Sequence, residues 1–196
     1  FIATPRGLTV YPNLIETSLF SPPLPICARI TDRILFVGRL DTEKNLFTLL
    51  LASRIGGFGI DLVGAGPLYG ELEAFARTHK VDIRFLGTFS NAEMPEIYRK
   101  YWIFVLPSLY EGSPKALLEA MSCGMAAVGT PAQGIYEILE HEVTGLLAEN
   151  HPGALAQAIR RLIDDPGLRE KLGLNARESV VRNYSLEKIA PQEEGV

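Results

Sequence analysis

Cysteine, histidine and tryptophan are scarce in this chain of 196 residues, at two, three and one. Cys27 and Cys123 cannot build a disulfide framework and are expected to remain reduced, structural and unbridged. His79, His141 and His151 are scattered, and none stands at a ligand-like spacing from a cysteine or another histidine, so no metal site is read. No Gly-x-Ser-x-Gly elbow occurs, which removes the usual serine-nucleophile turn. Apolar runs fall far short of the ~20 residues that a spanning helix needs. Blocks of like charge are missing too. Nineteen basic and twenty-three acidic residues leave a formal charge of −4, which argues against non-specific nucleic-acid binding and against a polybasic membrane patch. The chain opens at Phe1 without an initiator methionine or a signal-peptide pattern, and is read as a piece of a longer protein.

What the sequence does have is alternation. Residues 1–31 carry five prolines and only three charges, Arg6, Glu16 and Arg29. A short strand fits Leu8–Tyr11, and Phe20 to Pro25 reads as an extended linker, because each proline fixes φ and disfavours helix before it. From Arg33 onward, apolar strands ending at Val37, Val63, Leu86, Leu106 and Val128 alternate with helical patterns. Leu46, Leu49 and Leu50 share one helix face; Leu68, Leu72, Phe75 and Ala76 share the next; Met94, Ile97, Tyr98 and Tyr101 a third. A helix beginning at Pro114, a short one from Ile135, a strand at Gly145–Leu147 and a helical region from Pro152 complete the pattern. Short apolar strands alternating with helices predict a Rossmann-like doubly wound α/β domain, a parallel sheet with helices on both faces. The division expected is a linker at 1–31, the domain at 32–184 and a tail at 185–196. Ligands of such sheets bind at the carboxyl ends of the strands.

Those loops hold the unusual residues. After the first strand, Gly38 permits a sharp turn, Asp41 or Thr42 could cap the coming helix, and Arg39 and Lys44 place two cations at one rim. A planar guanidinium and a point-charge ammonium suit a diphosphate, although both side chains could equally be solvated. Gly64-Ala-Gly-Pro67 invites a dinucleotide reading, but Pro67 removes an amide donor and no acid follows the next strand to hold a ribose. A tight turn into a proline-started helix is the better account. The richest stretch runs from Leu106 to Gly124. Ser113 reads as an N-cap and Pro114 as the first helical residue, so the amides after them and the positive helix end would make an anion site. Glu111 lies in the loop before that helix and Glu119 about one and a half turns inside it. Two carboxylates at different depths suit the hydroxyls on either side of a bound phosphate. Glu119 sits among Ala116, Leu117, Ala120 and Met121, where an unpaired acid would be costly. A hydrolytic acid/base pair would need one acid dry and the other solvated, which the sequence cannot display. Thr130 to Glu137 reads as a turn into the short helix, lining a sugar pocket or merely turning the chain.

Glu111 and Glu119, with seven residues between them, resemble the paired-glutamate signature of retaining GT-B glycosyltransferases, glycosyltransferase family 4, group 1. Further motifs follow in family order: Tyr11-Pro-Asn13 with Phe20-Ser-Pro22, Gly38-Arg-Leu-x-x-Glu-Lys44, Val63 to Pro67, Phe85-Leu-Gly87, Leu106-Pro-Ser108 and Ala120 to Gly124. Leu14 stands where the family usually has glycine. The resemblance covers residues 8–184 and implies one half of a GT-B fold, the donor-binding half.

The resemblance implies roles for the matched positions. Arg39 and Lys44 would neutralise the diphosphate leaving group, with Glu111 at the transferred sugar; these three form the implied catalytic set. Gly38, Leu86, Gly112, Ser113, Pro114, Lys115, Ala116 and Glu119 would bind the donor, with Glu119 at the ribose and Leu86 near the base. It implies a hexosyl-type sugar leaving a nucleoside diphosphate for an acceptor, with no cofactor and no bound metal. Fixed cations and helix dipoles would then meet the charge that develops. It also implies a separate N-terminal half that carries most of the acceptor site, without which the domain would transfer little. The enzyme would be cytoplasmic, with any contact at the inner membrane face made through that other half. A sugar-nucleotide epimerase of the same fold and a non-catalytic Rossmann-like binding module are the alternatives. The set Arg39, Lys44, Glu111 and Glu119 fits transfer better than either.

Overall fold

In a computed structural model, residues 13–23 and 29–189 are described, together with the backbone of a short antiparallel pair, β1 (Ile2–Ala3) and β2 (Thr9–Val10). Cys27 lies outside the described residues. The domain then runs β3 (Arg33–Val37), α1 (Leu46–Gly56), β4 (Gly59–Val63), α2 (Tyr69–His79), β5 (Ile83–Gly87), α3 (Met94–Tyr98) and β6 (Ile103–Leu106). It continues through α4 (Lys115–Ser122), β7 (Ala126–Gly129), β8 (Gly145–Leu147), α5 (Pro152–Asp164), α6 (Pro166–Asn183) and α7 (Leu186–Ile189). Strands β3 to β8 form one parallel sheet in the order β5-β4-β3-β6-β7-β8. That is the doubly wound order, whose chain direction reverses between β3 and β6.

The periodicities explain the layers. Strands β4, β6 and β7 are buried at every residue, as continuous apolar runs require of a sheet covered on both faces. Helix α1 packs on α2 and α5, and α4 on α3 and α6. Leu46, Leu49 and Leu50 of α1, Leu72 of α2 and Leu155, Ile159 and Leu162 of α5 are fully buried. The edge strand β5 is only partly covered.

Three expectations are corrected. No helix follows Ile135: residues 133–138 form successive turns. Gly134, at φ +80°, takes a left-handed conformation that interrupts helical dihedrals before they can propagate. Helix α4 starts at Lys115 rather than Pro114, whose ψ of 86° is not helical, and it has no side-chain cap. Ser113 does not cap it; its hydroxyl accepts instead from the Asn13 amide at 3.4 Å. Nor does Asp41 or Thr42 cap α1, because a 3-10 turn at Thr42–Lys44 intervenes and left-handed Asn45 joins the two.

The segment ahead of β3 is part of the domain's packing. Ile15 and Phe20 belong to the core. The Ile15 amide donates to Tyr184 at 2.8 Å and its carbonyl accepts from Leu186 at 3.0 Å. Glu187 accepts from the Thr17 hydroxyl and the Ser18 amide.

Candidate functional site

The reversal between β3 and β6 splays two loops apart at the carboxyl edge of the sheet, and the site is built there. The loop after β3 is zipped to its neighbour: the Gly38 amide donates to Val63 and the Leu40 amide to Ala65, each at 3.0 Å. Gly64 is required for this approach, since a Cβ on it would lie 1.9 Å from the Gly38 carbonyl oxygen, and its φ is +136°. The glycines of Gly64-Ala-Gly66 thus serve close packing, while Gly64 and Ala65 also line the cleft.

The 3-10 turn carries Lys44 back over the sheet edge. Its Nζ donates to Glu111 Oε1 at 2.6 Å, and the Ser108 hydroxyl donates to the same oxygen at 2.6 Å. Both partners of the ion pair are largely buried, at 18% and 11% side-chain exposure. The Leu109 amide donates to the Glu43 carbonyl at 2.8 Å, which ties the β6 loop to the 3-10 turn. Below this, Thr130 donates to the Ser108 carbonyl at 2.5 Å. Gly134 presses on the Glu111 carbonyl so closely that a Cβ would meet it at 2.4 Å. Arg39, in contrast, is 77% exposed and pairs only loosely with Asp41 at 3.6 Å.

Glu119 lies deeper. It is 6% exposed, accepts from the Tyr98 hydroxyl at 2.9 Å and pairs with Lys115 at 3.2 Å. The Tyr98 phenol is held well above its ordinary value, first by burial and then by the Glu119 charge, so it remains a donor. At the far end of α4, burial pushes the Cys123 thiol up to about 12. Cys123 is free.

Two cavities open onto this edge and share Val37, Gly38 and Arg39. The larger, about 510 Å³, reaches Gly64, Thr88, Phe89, Met94 and Glu119. The smaller, about 190 Å³, holds Lys44, Glu111, Ser113, Pro114, Lys115 and Ala116. Every expected site residue except Leu86 and Gly112 therefore borders one or both of these adjoining cavities. Leu86 packs toward the core instead, and Thr88 and Phe89 of the following loop line the cavity in its place. Gly112 is exposed beside Glu111 and Ser113. Asn91 lines the larger cavity without having been singled out, and three residues from stretches already noted brace the loop before α4: Ser108, Thr130 and Asn13. The last donates its side-chain amide to the Ser113 carbonyl at 2.9 Å, bracing the loop before α4. Leu106-Pro-Ser108, Thr130 to Glu137 and Tyr11-Pro-Asn13 were the available signals, but Asn13 and Thr130 lie 100 and 22 residues from the groups they touch, so those contacts could not be read.

Chemically, the smaller cavity offers an ammonium, a carboxylate and an uncapped helix start, and the larger a carboxylate at the floor of a wider, half-apolar space. Uncapped first-turn amides with a nearby cation suit an anion. A carboxylate with spare lone pairs suits hydroxyl donors. Among the described residues, no three or more histidine, cysteine, aspartate or glutamate side chains are grouped as a metal ion would require. No described helix is long and apolar enough to cross a membrane.

Comparison with known proteins places this arrangement in a family. The family of glycosyl transferases group 1 matches residues 31–179. An uncharacterized glycosyltransferase of Methanocaldococcus jannaschii is 32% identical over 168 residues, covering 81% of this chain and 43% of its own. Sucrose-phosphate synthase from Thermosynechococcus elongatus superposes with a TM-score of 0.85 at 28% identity, over 93% of this chain and 50% of that one. Anabaena HepE, crystallised with UDP and glucose, shares the fold at a TM-score of 0.80 and 21% identity, over 94% of this chain and 56% of its own. The chain thus spans about half the length of these relatives. It belongs to the glycosyl transferases group 1 family, as a domain of the GT-B type.

Proposed function

We propose that this chain is the donor-binding half of a retaining, family 4 glycosyltransferase that moves a hexosyl-type sugar from a nucleoside diphosphate to an acceptor. The observation that carries the reading is the shared cleft, in which Lys44 and Arg39, the uncapped start of α4, Glu111 and Glu119 face one space at two depths. The ribose sits at Glu119, with the base toward Thr88 and Phe89. The diphosphate lies over the first turn of α4 between Arg39 and Lys44, and the sugar at Glu111. When the bond from the anomeric carbon to the diphosphate oxygen breaks, its electrons go to the diphosphate. The two cations and the oriented amides are already in place to meet that charge. No metal or cofactor enters this account. The UDP and glucose bound by Anabaena HepE support a nucleoside diphosphate and a hexose as the ligand class. Acceptor recognition falls to a second, N-terminal half in a cytoplasmic enzyme.

Calorimetric titration of the chain with UDP, GDP, ADP and NAD tests the reading. One of the three diphosphates is expected to bind at least ~10-fold more tightly than NAD, and Glu119→Gln to weaken it by a similar factor, because a carboxylate accepting hydroxyls is a charge-assisted bond. Preference for NAD, or no diphosphate binding at millimolar concentration, would overturn it.

A further inference from the structure

Tyr98 belongs to a short helix that the sequence assigns to the core, and a phenylalanine would fill that core equally well. Its ring is fully buried and lies edge-on to Phe20 and Phe104, with centroids at 6.1 and 6.2 Å. Those two rings leave it no room to swing. A buried hydroxyl is costly unless it is satisfied, and this one is satisfied by Glu119 Oε2 at 2.9 Å. Lys115, half exposed one helical turn away, pairs in charge with the other oxygen, Oε1, at 3.2 Å. An ionised carboxylate has about four acceptor positions. One is thus occupied by a buried donor with a fixed origin, and the remaining ones are left for the cleft that Glu119 lines.

We propose that Tyr98 is a positioning residue that holds the Glu119 carboxylate at the orientation in which its remaining lone pairs accept both hydroxyls of a ribose, and so sets the discrimination between ribose and deoxyribose. The proposal rests on the reading that places the donor's ribose at Glu119. The chain of restraint begins outside the cleft. Phe20, in the segment ahead of the sheet, fixes the Tyr98 ring; Tyr98 fixes Glu119; Glu119 meets the ligand. The phenol stays protonated because burial and the Glu119 charge both oppose its ionisation. It can therefore only donate to the carboxylate, which keeps Glu119 an acceptor toward the ligand. Loss of the hydroxyl frees the carboxylate to rotate, and it would then spread its lone pairs over directions that no diol matches.

The test measures ribose preference rather than affinity alone. The chain is titrated with whichever of UDP, GDP and ADP binds it most tightly, and with the 2′-deoxy form of the same diphosphate. The unmodified chain is expected to favour the ribonucleotide by about tenfold, the value of a hydrogen bond to a charged acceptor. In Tyr98→Phe the preference should shrink to roughly a third of that, with a smaller loss of affinity for the 2′-deoxy form, which keeps only the 3′-hydroxyl. In a Glu119→Gln background, Tyr98→Phe should cause no further loss of preference, as coupled residues require. Glu119→Asp, which keeps the charge but withdraws the carboxylate from the hydroxyl, should mimic Tyr98→Phe and serves if that variant folds poorly. Full preference in either variant, or equal losses for both nucleotides, would overturn the role of Tyr98. Absence of any preference in the unmodified chain would instead overturn the ribose placement itself, and the proposal with it.

Discussion

At the scale of single residues, the contact between Lys44 and Glu111 makes the cleft partly self-neutralised. The ammonium that would meet a diphosphate is already 2.6 Å from a carboxylate, and both groups are shielded enough for the pair to count. Coulomb energy at this distance is several times larger near a protein surface than in bulk water. A diphosphate must therefore compete with Glu111 for Lys44. Glu111→Gln is expected to tighten nucleoside diphosphate binding several-fold, whereas Lys44→Ala should weaken it by about tenfold. Neither should change the affinity for the bare nucleoside. Titrations of both variants at two salt concentrations check this, because the diphosphate term is screened and the nucleoside term is not. Looser diphosphate binding in Glu111→Gln would show that the pair is not in competition with the ligand. Arg39 differs from Lys44 in being exposed and only loosely tethered, so it is free to follow the phosphate while Lys44 is fixed in advance.

At the scale of elements, the site depends on loops that are held from behind. The loop between β6 and α4 is gripped by Asn13 at Ser113, by Thr130 at Ser108 and by Gly134 against Glu111. Gly134 carries the sharpest constraint, since φ is +80° and the space for a Cβ is occupied by the Glu111 carbonyl. Gly134→Ala combines a left-handed backbone with a direct clash. It is expected to cost about 1–2 kcal/mol in denaturant unfolding and, by drawing Glu111 away from Lys44, to tighten diphosphate binding. An unchanged midpoint together with unchanged binding would mean that the turn relaxes without disturbing the loop. Helix α4 shows the converse arrangement. It begins without a side-chain cap, which leaves its first amides available to an anion instead of satisfying them internally.

At the scale of the whole molecule, a buried ionic cluster joins three strands at the end of the sheet away from the cleft. Asp61, fully buried in β4, accepts from Arg33 at 2.7 Å in β3, from Arg84 at 2.7 and 2.5 Å in β5, and from Tyr101 at 2.5 Å just before β6. Burial alone would raise its carboxyl, but the hydrogen bonds from Arg84, Tyr101 and Arg33 outweigh that and hold it below the ordinary aspartate value. The folded chain therefore binds fewer protons at Asp61 than the unfolded chain near and below pH 4. Its contribution is complete above about pH 5 and is lost as pH falls through the lowered folded value. Asp61→Asn removes the charge that both guanidiniums share, leaving Arg33 to Asp82 and half-exposed Arg84 to water, and is expected to cost ~2 kcal/mol at neutral pH. The variant should also flatten the acid limb of the urea-midpoint profile below about pH 5. Diphosphate binding should survive, because the cluster lies outside the cleft. A neutral-pH midpoint equal to that of the unmodified chain would show that the cluster is dispensable.

The division between what was legible and what was not follows contact range. Periodicity is a local property, since helix faces repeat within four residues and strand burial within two. The alternation, the parallel sheet and its ligand-bearing edge could therefore be read from residues 33 to 163 alone. Arg39, Lys44 and Glu111 were legible for a related reason, since each stands where a strand hands over to a helix, and Glu119 stands inside the helix that follows. The turns around Gly134 were misread, because Ile135 to Ile138 looks helical locally and only the approach of the Glu111 loop demands a left-handed glycine before it. The rest was decided by strand order. Lys44 meets Glu111 across 67 residues, Tyr98 meets Glu119 across 21 and Asn13 meets Ser113 across 100. The first exists because β3 and β6 lie side by side, the second because α3 packs on α4, and the third because the leading segment docks on the finished domain. The sequence by itself determined which chemical groups stand at the edge of the sheet. Tertiary structure decided which of them hold one another, because hydrogen bonds and ion pairs act over a few ångströms, and only packing brings distant positions within that reach.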